Sequence, residues 1–166
     1  KGDWKYGRID VRAKLALGQG IWPAIWMLPT DWIYGGWPGS GEIDIMEHVG
    51  HDEGRVHGSV HTESYNHKIG TQRTKTIMLS DVKDSFHIYS IEWYEDRIDF
   101  FIDDTKYFTF TNDNNNDFKT WPFNQRFHLL INVAVGGDWP GAPDNTTVFP
   151  QDMKVDYVRV YKQQKN

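Results

Sequence analysis

Three acids, Glu42, Asp44 and Glu47, stand within six residues of the segment GEIDIMEHVG, residues 41–50, interleaved with Ile43, Ile45 and Met46. On a regular strand successive side chains alternate between faces, so Glu42 and Asp44 share one face while Glu47 falls on the other. A single β-bulge between Asp44 and Glu47 absorbs the extra residue and gathers all three carboxyls on one surface. An apolar strand gains no stability from clustered acids, so the spacing points to chemistry. Across such a bulge Glu42 and Glu47 lie roughly 13 Å apart at Cα, about four steps of ~3.3 Å. Two long side chains leaning together can bring their carboxyls to the ~5–5.5 Å at which one attacks an acetal carbon and the other serves as acid and then base; ~6.5–9.5 Å leaves room for a water between them. The reading is Glu42 as nucleophile, Glu47 as acid/base, and Asp44 between them orienting Glu42 and tuning its charge. Like charges this close push at least one pKa upward. The alternative is an exposed strand with its acids solvated on an outer face.

The elements that must position these acids read as almost entirely β. Strand candidates are Tyr6–Leu17, Ile21–Leu28, Glu42–Val49, His57–Glu63, Phe86–Tyr94, Ile98–Ile102, Lys106–Phe110, Phe127–Val135 and Val155–Tyr161. Most are rich in β-branched or aromatic residues and bounded by Gly, Pro, Asn or Asp. Alternation is clean in Ile9, Val11, Ala13 and Leu15, and again in Tyr89, Ile91 and Trp93 against Ile88, Ser90 and Glu92. Asp103 and Asp104 read as the tip of a hairpin. Pro29–Gly41, Ser64–Ser85 and the Asn-rich Thr111–Thr120 read as loops. Neither an amphipathic helix nor an internal repeat stands out. The expectation is an all-β fold, a two-sheet antiparallel sandwich or jelly roll, with a concave face that can take a polymer.

Composition bounds the function. The chain has 166 residues, enough for one domain with a sizeable core. It has no cysteine, which excludes disulfides and thiolate metal sites. The net charge of −5 argues against nucleic acid, anionic membrane surfaces and strongly sulfated polymers as partners. No run approaches transmembrane length, and the first residues do not resemble a signal peptide. Aromatics make up 15% of the residues, with 8 Trp, more than a core of this size readily hides, so several are expected on a binding surface.

The run EIDIME, preceded by YGRIDVRAKL and GIWPAIWMLP and followed by VHTESYNH, FHLLINVAVGG and MKVDYVRVY, resembles family 16 of the glycoside hydrolases. It is most similar to the laminarinase branch, endo-β-1,3-glucanases whose acid strand is one residue longer than that of the lichenases. The resemblance implies retaining hydrolysis of a β-1,3-glucan, with Glu42, Asp44 and Glu47 in the roles above. Mixed-linkage β-1,3-1,4-glucan, agar or carrageenan as substrate, or a non-catalytic glucan-binding module, are the alternatives. It implies that Trp22 and Trp26, four apart and so on one strand face, line a glucan cleft, where indoles stack on the C–H faces of sugars. Without it, both read as core residues. Trp37 falls at the cleft rim; Trp121, Trp32 and Trp139 are further candidates, although WPF and DWPG can simply pin turns. Trp4 and Trp93 read as packing residues.

His57 and His61 share a strand face, but two histidines make a weak metal signal. The resemblance places His61 beside the acid/base residue, bonding sugar or carboxyl. The remaining histidines carry no comparable context. Asn132 lies in an apolar strand and, if buried, needs a partner: a sugar hydroxyl or a backbone group. Asn145 opens a glycosylation sequon of little weight here. The resemblance also implies a structural calcium with Asp156 among its ligands, although Asp156 alone reads equally as a surface acid, and calcium takes about six to eight oxygens. No cofactor is expected for catalysis. Family members begin upstream of the point matching Lys1, so residues 1–166 read as one catalytic domain lacking the family's N-terminal strands, with a companion segment as partner. An extracellular or periplasmic setting follows only from the size of such a substrate.

Overall fold

The computed structural model describes residues 2–162. Eleven strands run in chain order: β1 (Asp3–Trp4), β2 (Gly7–Lys14), β3 (Ile21–Pro29), β4 (Glu42–Glu47), β5 (Arg55–His61), β6 (Arg73–Met78), β7 (His87–Trp93), β8 (Arg97–Ile102), β9 (Thr105–Thr111), β10 (Phe127–Val135) and β11 (Lys154–Tyr161), with one 3-10 turn at His67–Ile69. They form two antiparallel sheets, one ordered β1-β10-β3-β4-β5-β6 and the other β11-β2-β7-β8-β9. No helix among the described residues is long and apolar enough to cross a membrane.

Alternation builds the core between the sheets. Ile9, Val11 and Ala13 of β2 and Tyr89, Ile91 and Trp93 of β7 are fully buried, and they meet Ile25, Met27, Ile43, Ile45 and Met46 from the facing sheet. Each fully buried aliphatic or aromatic side chain contributes roughly 1.5–3 kcal/mol relative to exposure. Trp93 packs edge-on against Tyr6 and Phe127, at 5.4 and 5.5 Å between ring centres, and donates its indole N–H to the Phe123 carbonyl at 3.1 Å. That partner removes the cost of burying an indole nitrogen.

Two expectations are corrected. The stretch Ser64–Ser85 is not a single loop, since β6 pairs with β5 from Arg55↔Met78 to Val60↔Arg73. Its Arg-Thr-Lys-Thr residues are exposed at the sheet edge, so no buried face imprints an apolar alternation on them. Trp121 is a core residue, 6% exposed, stacked on Phe110 and packed edge-on against Phe123, where no substrate reaches it.

Candidate active site

The bulge is where the acid spacing demanded it. Against β5, β4 pairs Glu42↔His61, Ile43↔Val60, Asp44↔Ser59 and then Glu47↔His57, slipping between Asp44 and Glu47. Against β3, Trp26 pairs with Asp44 and Ala24 with Glu47, so the same slip is absorbed on both sides. Ile45 and Met46 both go into the core. Glu42, Asp44 and Glu47 therefore share the outer face of the six-stranded sheet with Trp22, Ala24 and Trp26 of β3, Asn132 of β10, and His57, Ser59 and His61 of β5. Gly41, just before the acids, has φ +88, and a Cβ there would fall 2.7 Å from Pro122 Cγ, so only glycine turns the chain into β4 at this point.

Each outer acid is held by an indole. Trp37 Nε1 donates to Glu42 Oε2 at 2.5 Å, and Trp22 Nε1 donates to Glu47 Oε1 at 3.2 Å. Trp26 Nε1 instead donates to Asn132 Oδ1 at 2.7 Å. Asn132 is exposed rather than buried, and an indole, not the backbone, is its partner. Asp44 is buried between the two glutamates, with His61 Nε2 at 3.2 Å from its Oδ2, off line for a hydrogen bond.

The acids divide by environment. Burial raises the Glu42 pKa, but hydrogen bonds from Asp44 and Trp37 pull it back. Asp44 is raised well above the usual range, first by burial and then by the charges of Glu42 and Glu47. Burial, reinforced by the Glu42 charge, pushes Glu47 up to about 7, with the Trp22 bond opposing. Burial takes His61 down to about 4, so it faces Asp44 as a neutral ring. Asp44 is thus the acid that most strongly favours its proton, Glu42 the one whose charge is best supported by hydrogen bonds, and Glu47 is pushed to about 7 between them. Environments that push neighbouring carboxyls apart in this way suit a division between a charged group and a proton donor.

The surrounding cleft is continuous. The Glu42 end, about 430 Å³, is walled by Trp26, Leu28, Trp32, Trp37, His67 and Lys68. The Glu47 end, about 600 Å³, is lined by Trp22, His57, His61, Gln72, Thr74 and Trp139 among others. About 260 Å³ between them lies over Asp44 and Asn132. Trp22, Trp26, Trp37, His61 and Asn132 are thus gathered around the acids, and Trp32 and Trp139 stand at opposite ends. Sequence reasoning missed His67, Lys68, Gln72 and Thr74, which come from the 3-10 turn and from in or beside the overlooked edge strand. His67 and His61 were both legible in VHTESYNH, but only the fold brings their rings to 5.2 Å.

Metal sites fare differently. Glu42, Asp44 and His61 offer ligand atoms within 4.8 Å of one another, but the set has three donors, one on a protonated carboxyl and one on nitrogen, which does not suit calcium. Asp156 sits at a bulge in β11 and is engaged by Arg12 Nη1 at 2.5 Å, so a dication there would have to displace a guanidinium. The described residues around Asp156 do not fit the implied calcium.

The profile of "Glycosyl hydrolases family 16" matches residues 1–159. A beta-glucanase of Rhodothermus marinus is 50% identical over 98% of this chain, which spans 59% of that relative's length. The X-ray structure of the laminarinase from the same organism superposes with a TM-score of 0.95 at 48% identity, covering 99% of this chain and 68% of that one. A mutant of SCLam, described as a non-specific endo-β-1,3(4)-glucanase and presenting a 1,3-β-D-cellobiosyl-glucose at its active site, gives 0.92 at 47% identity, covering 97% and 62%. The bulged acid strand, the indoles bonded to its outer glutamates and a profile match over nearly the whole length agree: the chain belongs to glycosyl hydrolase family 16.

Proposed function

We propose that the chain is the catalytic part of an endo-acting, retaining β-1,3-glucanase. The observation that carries this reading is the set of three carboxyls on one face, the outer two each bonded by an indole and only the middle one fully desolvated. Ionised Glu42 attacks the anomeric carbon as Glu47 gives its proton to the departing glycosidic oxygen, leaving a sugar ester on Glu42. Glu47, now a carboxylate, takes a proton from water, which opens the ester and restores Glu42. Asp44 shares its proton with Glu42 while that carboxyl is ionised and keeps it while Glu42 is esterified. Trp22, Trp26, Trp37 and Trp32 offer apolar ring faces along the cleft, on which the C–H faces of sugars stack. Incubation with laminarin, lichenan and agarose, with product analysis, tests the reading: short β-1,3-linked products from laminarin support it, and binding without cleavage of any polymer overturns it.

A second reading, tolerance of mixed β-1,3-1,4 linkages, is favoured by the likeness to the enzyme described as non-specific. It predicts lichenan cleavage as well. The substrate implies an extracellular or periplasmic setting. A companion strand segment is a further part of the proposal: among the described residues β10 has no partner on its outer edge beyond His128, and Ile131 and Val135 of β10 and Val158 of β11 are exposed. A structural calcium at Asp156 would have to compete with Arg12, and EDTA is expected to leave the melting temperature unchanged.

A further inference from the structure

The loop after β10 has contacts beyond those of a simple turn. It is tied down along its length: Gly136 N donates to Gly20 O at 2.7 Å, Gln19 Nε2 to the carbonyls of Pro140 and Ala142 at 3.3 and 3.2 Å, and Gly141 N to Gly137 O at 3.0 Å. Gly20, at φ +76, packs so closely beneath it that a Cβ would fall 2.4 Å from Pro143 N. What this clamp holds out is Trp139. Its ring stands perpendicular to Trp22, at 83° and 5.3 Å, and to His57, at 90° and 5.0 Å. Trp22 is the indole that bonds Glu47, and His57 is the strand neighbour of Glu47 on β5. Trp139 therefore wedges between the two side chains that flank this acid, while remaining 38% exposed itself.

We infer that Trp139 is a positioning residue for Glu47: it seats the Trp22 indole on the carboxyl and keeps bulk water away from it, acting through Trp22 and His57 without touching the acid. This rests on the reading of Glu47 as acid/base. Two perpendicular ring contacts on the side chains that flank Glu47 fix where those side chains lie, a constraint that stacking on a sugar alone does not require. The titratable groups that line the cleft with Glu47 are Glu42 and Asp44 on β4, His57 and His61 on β5, His67 in the 3-10 turn and Asp138 on the loop. Burial raises the Glu47 midpoint to about 7 and the Trp22 bond opposes it; burial is the larger cause, so water entering past a truncated Trp139 lowers the midpoint by more than loss of the Trp22 bond raises it.

The test is a carboxyl-carbon NMR titration of glutamate-labelled parent, Trp139→Ala and Trp139→Phe, with hydrolysis of laminarin and of an aryl β-glucoside carrying a good leaving group. The alanine variant is expected to move the Glu47 midpoint down by about one pH unit. It should also lose about tenfold more turnover on laminarin than on the aryl glycoside, which needs little help from an acid. The phenylalanine variant keeps a perpendicular ring and is expected to restore both. An unchanged Glu47 midpoint in the alanine variant overturns the inference, as does a rise in KM alone, the mark of a sugar platform. If the parent cleaves no glucan, the proposed function fails, while the titration still decides whether Trp139 positions Glu47.

Discussion

Two strands of the sandwich display charged residues on an outer face, and their surroundings differ. On β2, Arg8 bonds Asp10 at 2.7 Å and Glu92 of β7 at 3.0 Å, so every acid there has a guanidinium beside it. On β4 the three acids have no cation in contact. Their neighbours are indole N–H groups, a neutral histidine and one another. The first arrangement is an outer face whose charges are satisfied locally, with Asp10 buried beneath its guanidinium. The second holds carboxyls at raised pKa, which costs stability at neutral pH and, under the proposed function, sets a proton donor beside a nucleophile. Type and spacing of acids do not separate the two cases; the partners do.

That difference can be broken from either side. The largest effect is expected from Glu42→Ser, which removes the nucleophile and should cut laminarin turnover by about 10⁴-fold or more while affinity electrophoresis still shows glucan binding. Glu47→Gln should lose about 10²–10⁴-fold on laminarin and abolish the alkaline limb of the pH–rate profile. In the parent that limb lies near 7, because Glu47 must be protonated to donate and activity falls as pH rises through its pKa. The acid limb, set by the raised pKa of Glu42, lies above the ordinary glutamate value, because Glu42 must be ionised to attack.

Asp44→Asn should act in opposite directions on rate and stability. Activity falls about 10–100-fold as the proton shared with Glu42 is lost, while removal of a buried ionisable group raises stability at pH 8 by about 1 kcal/mol in urea titration. The sign follows from the direction of the shift: a carboxyl raised in the fold favours folding at low pH and opposes it at high pH. Buried neutral His48 and His61, lowered to about 4, work the other way. Their stabilisation is present above the unfolded histidine value of about 6.5 and is lost as pH falls from there toward 4, offset over the same window by the stability that the raised Glu47 and Asp44 regain on protonation. The smallest effect on turnover is expected from Arg8→Ala, which leaves the buried Asp10 without its guanidinium: about 1–3 kcal/mol of stability is lost and turnover is unchanged.

How much of this was legible depended on what left a mark in the chain. The bulge was legible because Ile45 and Met46 both enter the core, which puts the acid spacing one residue out of strict alternation. The core strands β2 and β7 were legible for the related reason that one buried face forces a period of two. Strand β6 was not, since an exposed edge strand buries no face and its Thr and Lys residues record nothing. Trp121 and Trp22 show the limit for aromatics: an indole in a core stack and one bonded to a catalytic glutamate look alike until the fold shows where each N–H points. The same holds for Asn132, whose partner is a tryptophan 106 residues away. Asp156 in VDY reads as a possible ligand, but its guanidinium partner Arg12 is 144 residues distant in the chain.

The most direct test of the central claim is to trap the sugar ester. Incubation with a 2-fluoro β-glucosyl donor slows breakdown of the intermediate, and the protein is then digested and mapped by mass spectrometry. One added glycosyl unit, on the peptide carrying GEIDIME and located on Glu42, is the result predicted. A label on Glu47, or no label together with products of inverted anomeric configuration, would contradict the account.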